Sequence, residues 1–311
     1  MASSSSWSVP LRLWLSGAAA FLAATLALAA PTQLVPRQSI TTVSQSAVAS
    51  YTPYSFYASA GYCSASATIS WTCGTNCEGN PTFKPLASGG DGVTVQYWFV
   101  GYDPSLKSIV VSNQGTQPSA IIPLITDGDI ALVNLDPSLF PGLDSSIQAH
   151  KGFAEAHSKS ASDILEAVQQ AITTYGTHNV VLTGHSLGAA ISLLHTVYLP
   201  LHISNLKITF VGYGLPRVGN QAFADYVDAH DAIASVTHIN NKEDPIPILP
   251  GRFLGFHHPA GEIHIQDSGA WLACPGQDNT DSQCIVGDVA NVFDGDESDH
   301  DGPYNGVEMG C

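Results

Sequence analysis

Positive charge is scarce in this sequence. Among 311 residues, 10 Lys and Arg face 26 Asp and Glu, and charged side chains make up only 12% of the chain, about half the ~25% usual in soluble proteins. With a formal charge of −16 there is no cationic face for phosphates, which excludes nucleic acid as a partner. The same scarcity excludes a polybasic membrane patch. Beyond the N-terminus no apolar stretch approaches the ~20 residues that cross a bilayer. No Cys-x-x-Cys pair occurs, which argues against zinc. The Asn80 triplet that resembles a glycosylation acceptor is blocked by Pro81. Hydrophobic residues reach 44%, and 19 Pro and 28 Gly are scattered along the chain. General disorder and low-complexity regimes are therefore excluded, leaving an acidic globular protein with a single large core.

The N-terminus reads as an export signal. Arg12 precedes an uncharged, Ala- and Leu-rich run from Leu13 to Ala30 that closes on Ala27-Leu28-Ala29, a small-x-small cleavage pattern. Residues 1–30 are thus expected to be a signal peptide, and 31–50 a propeptide or N-terminal extension. Six cysteines follow: Cys63, Cys73, Cys77, Cys274, Cys284 and Cys311. In an exported protein an even number reads as disulfides. Spacing favours Cys73–Cys77 and Cys274–Cys284 as local bridges, leaving Cys63–Cys311 to tie the chain ends, worth on the order of 4–5 kcal/mol by loop entropy.

From residue 92 onward, strand-like and helix-like segments alternate. Val93–Val100, Ser108–Ser112, Ile130–Leu135, Val180–Thr183, Ile208–Tyr213 and Val236–Ile239 read as strands, with Gly101–Pro104 as a turn. His157–Tyr175, Leu187–Leu199 and Gln221–Ala229 read as helices, and Ser39–Ala60 as a helix lying on the sheet. This alternation predicts one α/β domain, with a mainly parallel sheet and helices on both faces.

Gly184-His185-Ser186-Leu187-Gly188 has the Gly-x-Ser-x-Gly form of a nucleophile elbow. It lies between a strand (Asn179–Thr183) and a helix, the context that gives the pattern meaning. Glycines are needed there because any Cβ would strike the neighbouring backbone, and the turn sets Ser186 at a helix N-terminus whose amides can stabilise an oxyanion. Serine needs a base, and this fold orders its residues Ser, then acid, then His. Asp244 is the best acid, carried on a loop stiffened by Pro245 and Pro247, with Glu243 as its neighbour and competitor. For the base, His195 and His202 sit on an apolar helix, and His238 and His264 in strand-like segments. Chain order leaves His300 and the pair His257 and His258 open. The acids Asp294, Asp296, Glu297 and Asp299 miss the spacing of an EF-hand calcium loop.

The loop Asn113–Gln117 follows an early strand and suits a second oxyanion donor, with Thr116 supplying an N–H. Beyond it Ile121, Ile122, Leu124 and Ile125 form an apolar cluster. They read either as a buried core segment or as a movable lid over the site.

Together these residues resemble the fungal class 3 lipases: secreted triacylglycerol lipases of filamentous fungi, with mono/diacylglycerol lipase and feruloyl esterase relatives. The likeness runs from about residue 51 to the end. It rests on Tyr54–Cys63, Gly115-Thr116, His150–Phe153, Gly184–Ala190, Tyr213–Asn220 and His238–Pro247. The resemblance implies an α/β-hydrolase fold over 51–311 with a lid. It implies a triad of Ser186, Asp244 and His300, oxyanion donors Thr116 and Leu187, an aromatic at Tyr304 after the histidine, and a disulfide tying the chain ends. The segment 121–125 lacks the Trp and charge pattern of the best-known triacylglycerol lipases. The expectation is a secreted, extracellular serine ester hydrolase. It acts on acylglycerol or other esters, transiently at a lipid–water interface, as a monomer, without cofactor, metal or nucleic acid. A feruloyl-type carbohydrate esterase with the same triad, and a non-catalytic binding protein of the same fold, are the alternatives.

Overall fold

The structure is a computed structural model and describes residues 39–116, 121, 123, 130–230 and 232–311. The signal peptide expected at 1–30 lies outside them. In chain order the elements are β1 (Thr41–Thr42), α1 (Gln45–Ser50), α2 (Thr52–Ala60), α3 (Ala65–Ser70), α4 (Thr75–Glu78), β2 (Lys84–Gly89), β3 (Trp98–Asp103) and β4 (Ser108–Asn113). Then come β5 (Leu132–Asn134), β6 (Gln148–His150), α5 (Lys151–Ser158), α6 (Ala161–Tyr175), β7 (Asn179–His185), α7 (Leu187–His202), β8 (Lys207–Tyr213), β9 (Gly219–Asn220) and α8 (Gln221–Ala229). The last are β10 (Ile233–Asn241), β11 (Phe256–His257), β12 (Glu262–Ile265), β13 (Trp271–Cys274) and α9 (Ile285–Asp288).

The main sheet runs β1-β13-β12-β10-β8-β7-β4-β3-β2. Its centre, from β4 to β12, is parallel, as expected from the strand–helix alternation. Its edges are antiparallel: β3 and β2 on one side, β13 and β1 on the other. A small antiparallel sheet, β11-β9-β6-β5, stands beside it. The central strands are apolar on both faces because helices cover both. In β4, Ile109 and Val111 enter the core beneath α6 and α7 while Val110 faces Tyr57 and Ala60 of α2. Val180, Val181 and Leu182 of β7 divide in the same alternating way.

Several expectations are corrected. Val93–Val100 is not a strand throughout: Asp91 Oδ1 accepts from the amides of Val93, Thr94 and Val95, diverting them from the ladder, and β3 begins at Trp98. Gly101–Pro104 is not the turn, because pairing on both sides carries β3 through to Asp103. The helix read as His157–Tyr175 is two, the first starting at Lys151 and the second at Ala161, with a bend at Ser160 (φ −123°). The helix read as Ser39–Ala60 is β1, α1 and α2, and Pro53 opens α2. The extension expected at 31–50 enters the fold from residue 41: β1 pairs with β13, and Val43 and Val48 pack on the cluster around Trp271. The three disulfides join Cys63 to Cys311, Cys73 to Cys77 and Cys274 to Cys284.

Candidate active site

Three parallel strands end together, β7 at His185, β8 at Tyr213 and β10 at Asn241, and the loops leaving them carry the site, as is usual for open α/β sheets. Ser186 makes the turn from β7 into α7 with φ 58° and ψ −127°. A side-chain residue at positive φ is strained, and the surroundings must hold it there. Its N–H donates to the Tyr213 carbonyl at 2.9 Å, and its own carbonyl accepts from Ala189 and Ala190. A Cβ on Gly184 would come within 2.5 Å of the Gly188 backbone, and one on Gly188 would overlap the Asn113 carbonyl. The two glycines let strand, helix and the loop after β4 meet.

Asp244 lies beyond β10 and is fully buried, as is His300. The His300 Nδ1–H donates to Asp244 Oδ2 at 2.8 Å, and Asp244 Oδ1 accepts from the Ile246 amide at 2.8 Å. A carboxylate acceptor fixes the proton on Nδ1 and leaves Nε2 as the basic nitrogen. His300 Nε2 and the buried Ser186 Oγ have no hydrogen-bond partner among the described residues, each other included. Such bonds are often long without substrate. Gly214 connects the three residues. It follows the carbonyl that holds Ser186, has φ 52°, and a Cβ on it would lie 2.8 Å from His300 Cε1 and 3.1 Å from Asp244 Oδ2. Sequence reasoning assigned Gly214 no role. Its position directly after a strand that neighbours the elbow strand is the available signal.

The loop that carries His300 is braced. Asn241 Nδ2 donates to the carbonyls of Asp299 and Gly302 at 2.9 and 3.1 Å, Lys242 pairs with Asp299 at 3.0 Å, and Asp296 N–H donates to the Glu243 carbonyl. Glu243 itself is exposed. In the acidic run, Asp296 accepts from Ser298 and Asp299 holds Lys242.

The rival histidines lie elsewhere. His257 Nδ1 meets Asp278, the carboxylate that also pairs with the buried Arg217 at 2.7 Å. His258 is buried, bonded to the Pro247 carbonyl and stacked on His238 at 4.9 Å; burial pushes His258 down to about 3 and His238 to about 4. His264 bonds the Lys242 and Gln283 carbonyls. His202 bonds the Leu139 carbonyl, and His195, on α7, packs against His157 of α5. None of them is bonded to Asp244.

Leu187 opens α7, so its N–H has no intrahelical acceptor. Thr116 ends a stretch packed on the elbow: Gly115 lies against the His185 carbonyl, and Asn113 is tied to Ser192 of α7 at 2.9 Å. Ile121 is fully buried in the main core, while Ile122, Leu124 and Ile125 lie outside the described residues. All six cysteines are in disulfides, so the grouping of Glu262 with Cys274 and Cys284 offers no thiolate for a metal.

Residues 110–254 match the class 3 lipase family. Secreted mono- and diacylglycerol lipase 3 of Gibberella zeae is 33% identical over 71% of this chain and 70% of its own. Secreted mono- and diacylglycerol lipase LIP2 of Malassezia restricta is 32% identical over 65% of this chain, which spans 62% of that protein's length. Among solved structures, Rhizomucor miehei triacylglyceride lipase superimposes with a TM-score of 0.74 at 25% identity, over 87% of this chain and 98% of that one. A triacylglycerol lipase whose catalytic centre is described as a serine protease triad gives 0.72 at 25% identity over the same shares.

Proposed function

The chain belongs to the class 3 lipase family, and from that premise we propose that it is a secreted lipase, a serine ester hydrolase acting on acylglycerols at a lipid–water interface. The observation that carries the reading is the fully buried Asp244–His300 pair. Among the described residues its Nε2 is unpartnered, and Gly214 links it to a Ser186 Oγ equally without a partner there. Idle buried polar atoms are costly to keep, and here, unlike at His157 and His195, a buried carboxylate orients the imidazole that carries one.

In this reading His300 Nε2 takes the Ser186 proton as Oγ attacks the ester carbonyl. Asp244 holds the tautomer and stabilises the imidazolium. The amides of Leu187 and Thr116 receive the oxyanion, worth roughly 3 kcal/mol each. His300 then protonates the leaving alcohol, and water that it activates hydrolyses the acyl-enzyme. The sequence of steps uses no metal or organic cofactor. The names of the relatives favour mono- and diacylglycerols over feruloyl esters as substrates. Three disulfides and the signal-like residues 1–30 support export.

Ser186→Ala is expected to keep the wild-type fold and melting temperature and to lose ester turnover by about 10⁴-fold or more. An organophosphonate should label the wild type at Ser186 and leave the variant untouched. Turnover retained by Ser186→Ala would overturn the assignment.

A further inference from the structure

His185 is the last residue of β7 and is fully buried beside Ser186. Its Nε2 lies 2.8 Å from the His300 carbonyl oxygen and its Nδ1 lies 2.6 Å from the Tyr62 hydroxyl. A carbonyl can only accept, so the ring proton is on Nε2, and Nδ1 must accept from the Tyr62 O–H. Both nitrogens are committed. Burial, reinforced by the His300 ring 4.3 Å away, holds His185 well below the usual imidazole range and keeps it neutral.

The same Tyr62 oxygen packs on Gly115: a methyl group there would overlap it and would come within 2.5 Å of the His185 carbonyl. Tyr62 thus touches the stretch ending in Thr116, while His185 touches the backbone of His300. Tyr304 adds a second donor to the His300 carbonyl at 3.0 Å. His300 follows a single short 3₁₀ turn rather than a strand, so its place must be set from outside. β10 braces its flanks through Asn241, β7 reaches the His300 carbonyl itself through His185, and Tyr62 is anchored next to the Cys63–Cys311 bridge.

We propose that Tyr62 and His185 are positioning residues, a strut joining the Thr116 loop to the His300 loop across the elbow and setting base and oxyanion donors relative to Ser186. The proposal rests on the reading of Ser186, His300 and Thr116 given above. Neither residue is hydrogen-bonded to a reacting atom: both hold backbone, and the His185 ring also packs on the His300 ring.

The test is kcat on a soluble p-nitrophenyl ester, expressed per site titrated with an organophosphonate, with melting temperature measured in parallel. His185→Leu removes both bonds and is expected to lose about 10- to 100-fold in kcat, as small misplacements of a catalytic group do, with KM changed by less than about twofold. His185→Gln carries an amide N–H near the Nε2 position and an oxygen that can accept from Tyr62, so it should recover most of that loss. Tyr62→Phe deletes one oxygen, leaves the ring, and should lose about tenfold. Combined with His185→Leu it should add nothing, because one strut is broken twice. The proposal fails if His185→Leu and Tyr62→Phe both keep kcat per titrated site within about twofold of wild type, whatever their melting temperatures. It fails equally if His185→Gln is no better than His185→Leu. Should His185→Leu not fold, Tyr62→Phe decides alone. Turnover by Ser186→Ala would instead condemn the site reading itself, which separates the two failures.

Discussion

Three pairs of buried histidines are in ring contact among the described residues, and two of them put burial to opposite uses. At the end of the sheet His185 and His300 stand 4.3 Å apart; between α5 and α7, His157 and His195 stand at the same 4.3 Å. In the first pair three of the four ring nitrogens have partners, one of them the Asp244 carboxylate. In the second, none of the four nitrogens has a hydrogen-bond partner among the described residues, and the neighbours are the rings of Phe140 and Tyr198. Burial without a partner pushes His157 down to about 3 and His195 well below its ordinary value. Burial beside a carboxylate instead leaves one oriented nitrogen free for chemistry. Hydrophobic surroundings alone make an imidazole an inert and somewhat costly packing unit; in the proposed reading the buried acid beside it makes a base.

The comparison breaks most visibly at the imidazole bonded to Asp244. His300→Ala should lower kcat by about 10⁴-fold or more, while His157→Leu should leave kcat within about twofold. Equal losses in steady-state assays on one soluble ester would erase the distinction. Gly214→Ala tests how tightly the first region is held, because its methyl would press on both His300 and Asp244 at a φ of 52°. A loss of about 100-fold in kcat is expected with only about 1–2 kcal/mol of stability, from assay and urea unfolding together. A loss of stability alone would mean that the pair simply shifts aside.

The smallest effect sharpens the second region through pH. His157 titrates near 6.5 when unfolded and about 3 when folded. Between those values the unfolded chain binds more protons, so stability is full above pH 6.5 and falls as pH drops through the window, by about 1.4 kcal/mol per unit for each such histidine. Replacing His157 by Leu removes one titration. The decrease in unfolding free energy between about pH 7.5 and pH 5 should shrink by about 2 kcal/mol, read from urea unfolding at the two pH values. An unchanged decrease would show that this imidazole has a polar partner or water in solution.

The elbow was legible because everything that defines it is adjacent in the chain: a strand, two glycines, a serine and a helix within 24 residues of β7 and α7. The parallel centre of the sheet was equally legible from alternating periods. Its antiparallel edges were not, since β2, with Pro85 and Gly89 among its six residues, and the four-residue β13 carry little pattern and form by pairing with a neighbour already in place. At Asp91 a local side-chain bond overrode β-branched propensity, a competition invisible to periodicity. Gly214, Tyr62 and His185, read only as members of motifs, were given no role because what each touches lies far away in sequence.

Sequence alone determined the export-like N-terminus, the α/β alternation and the position of the elbow serine, all properties of contiguous residues. It narrowed the base to His300 or the pair His257 and His258, and family likeness pointed to the first. Only the tertiary structure decided which imidazole meets Asp244, a bond spanning 56 positions. The physical reason is that a hydrogen bond needs its two atoms within about 3 Å, and that distance depends on the path of every element folded between them.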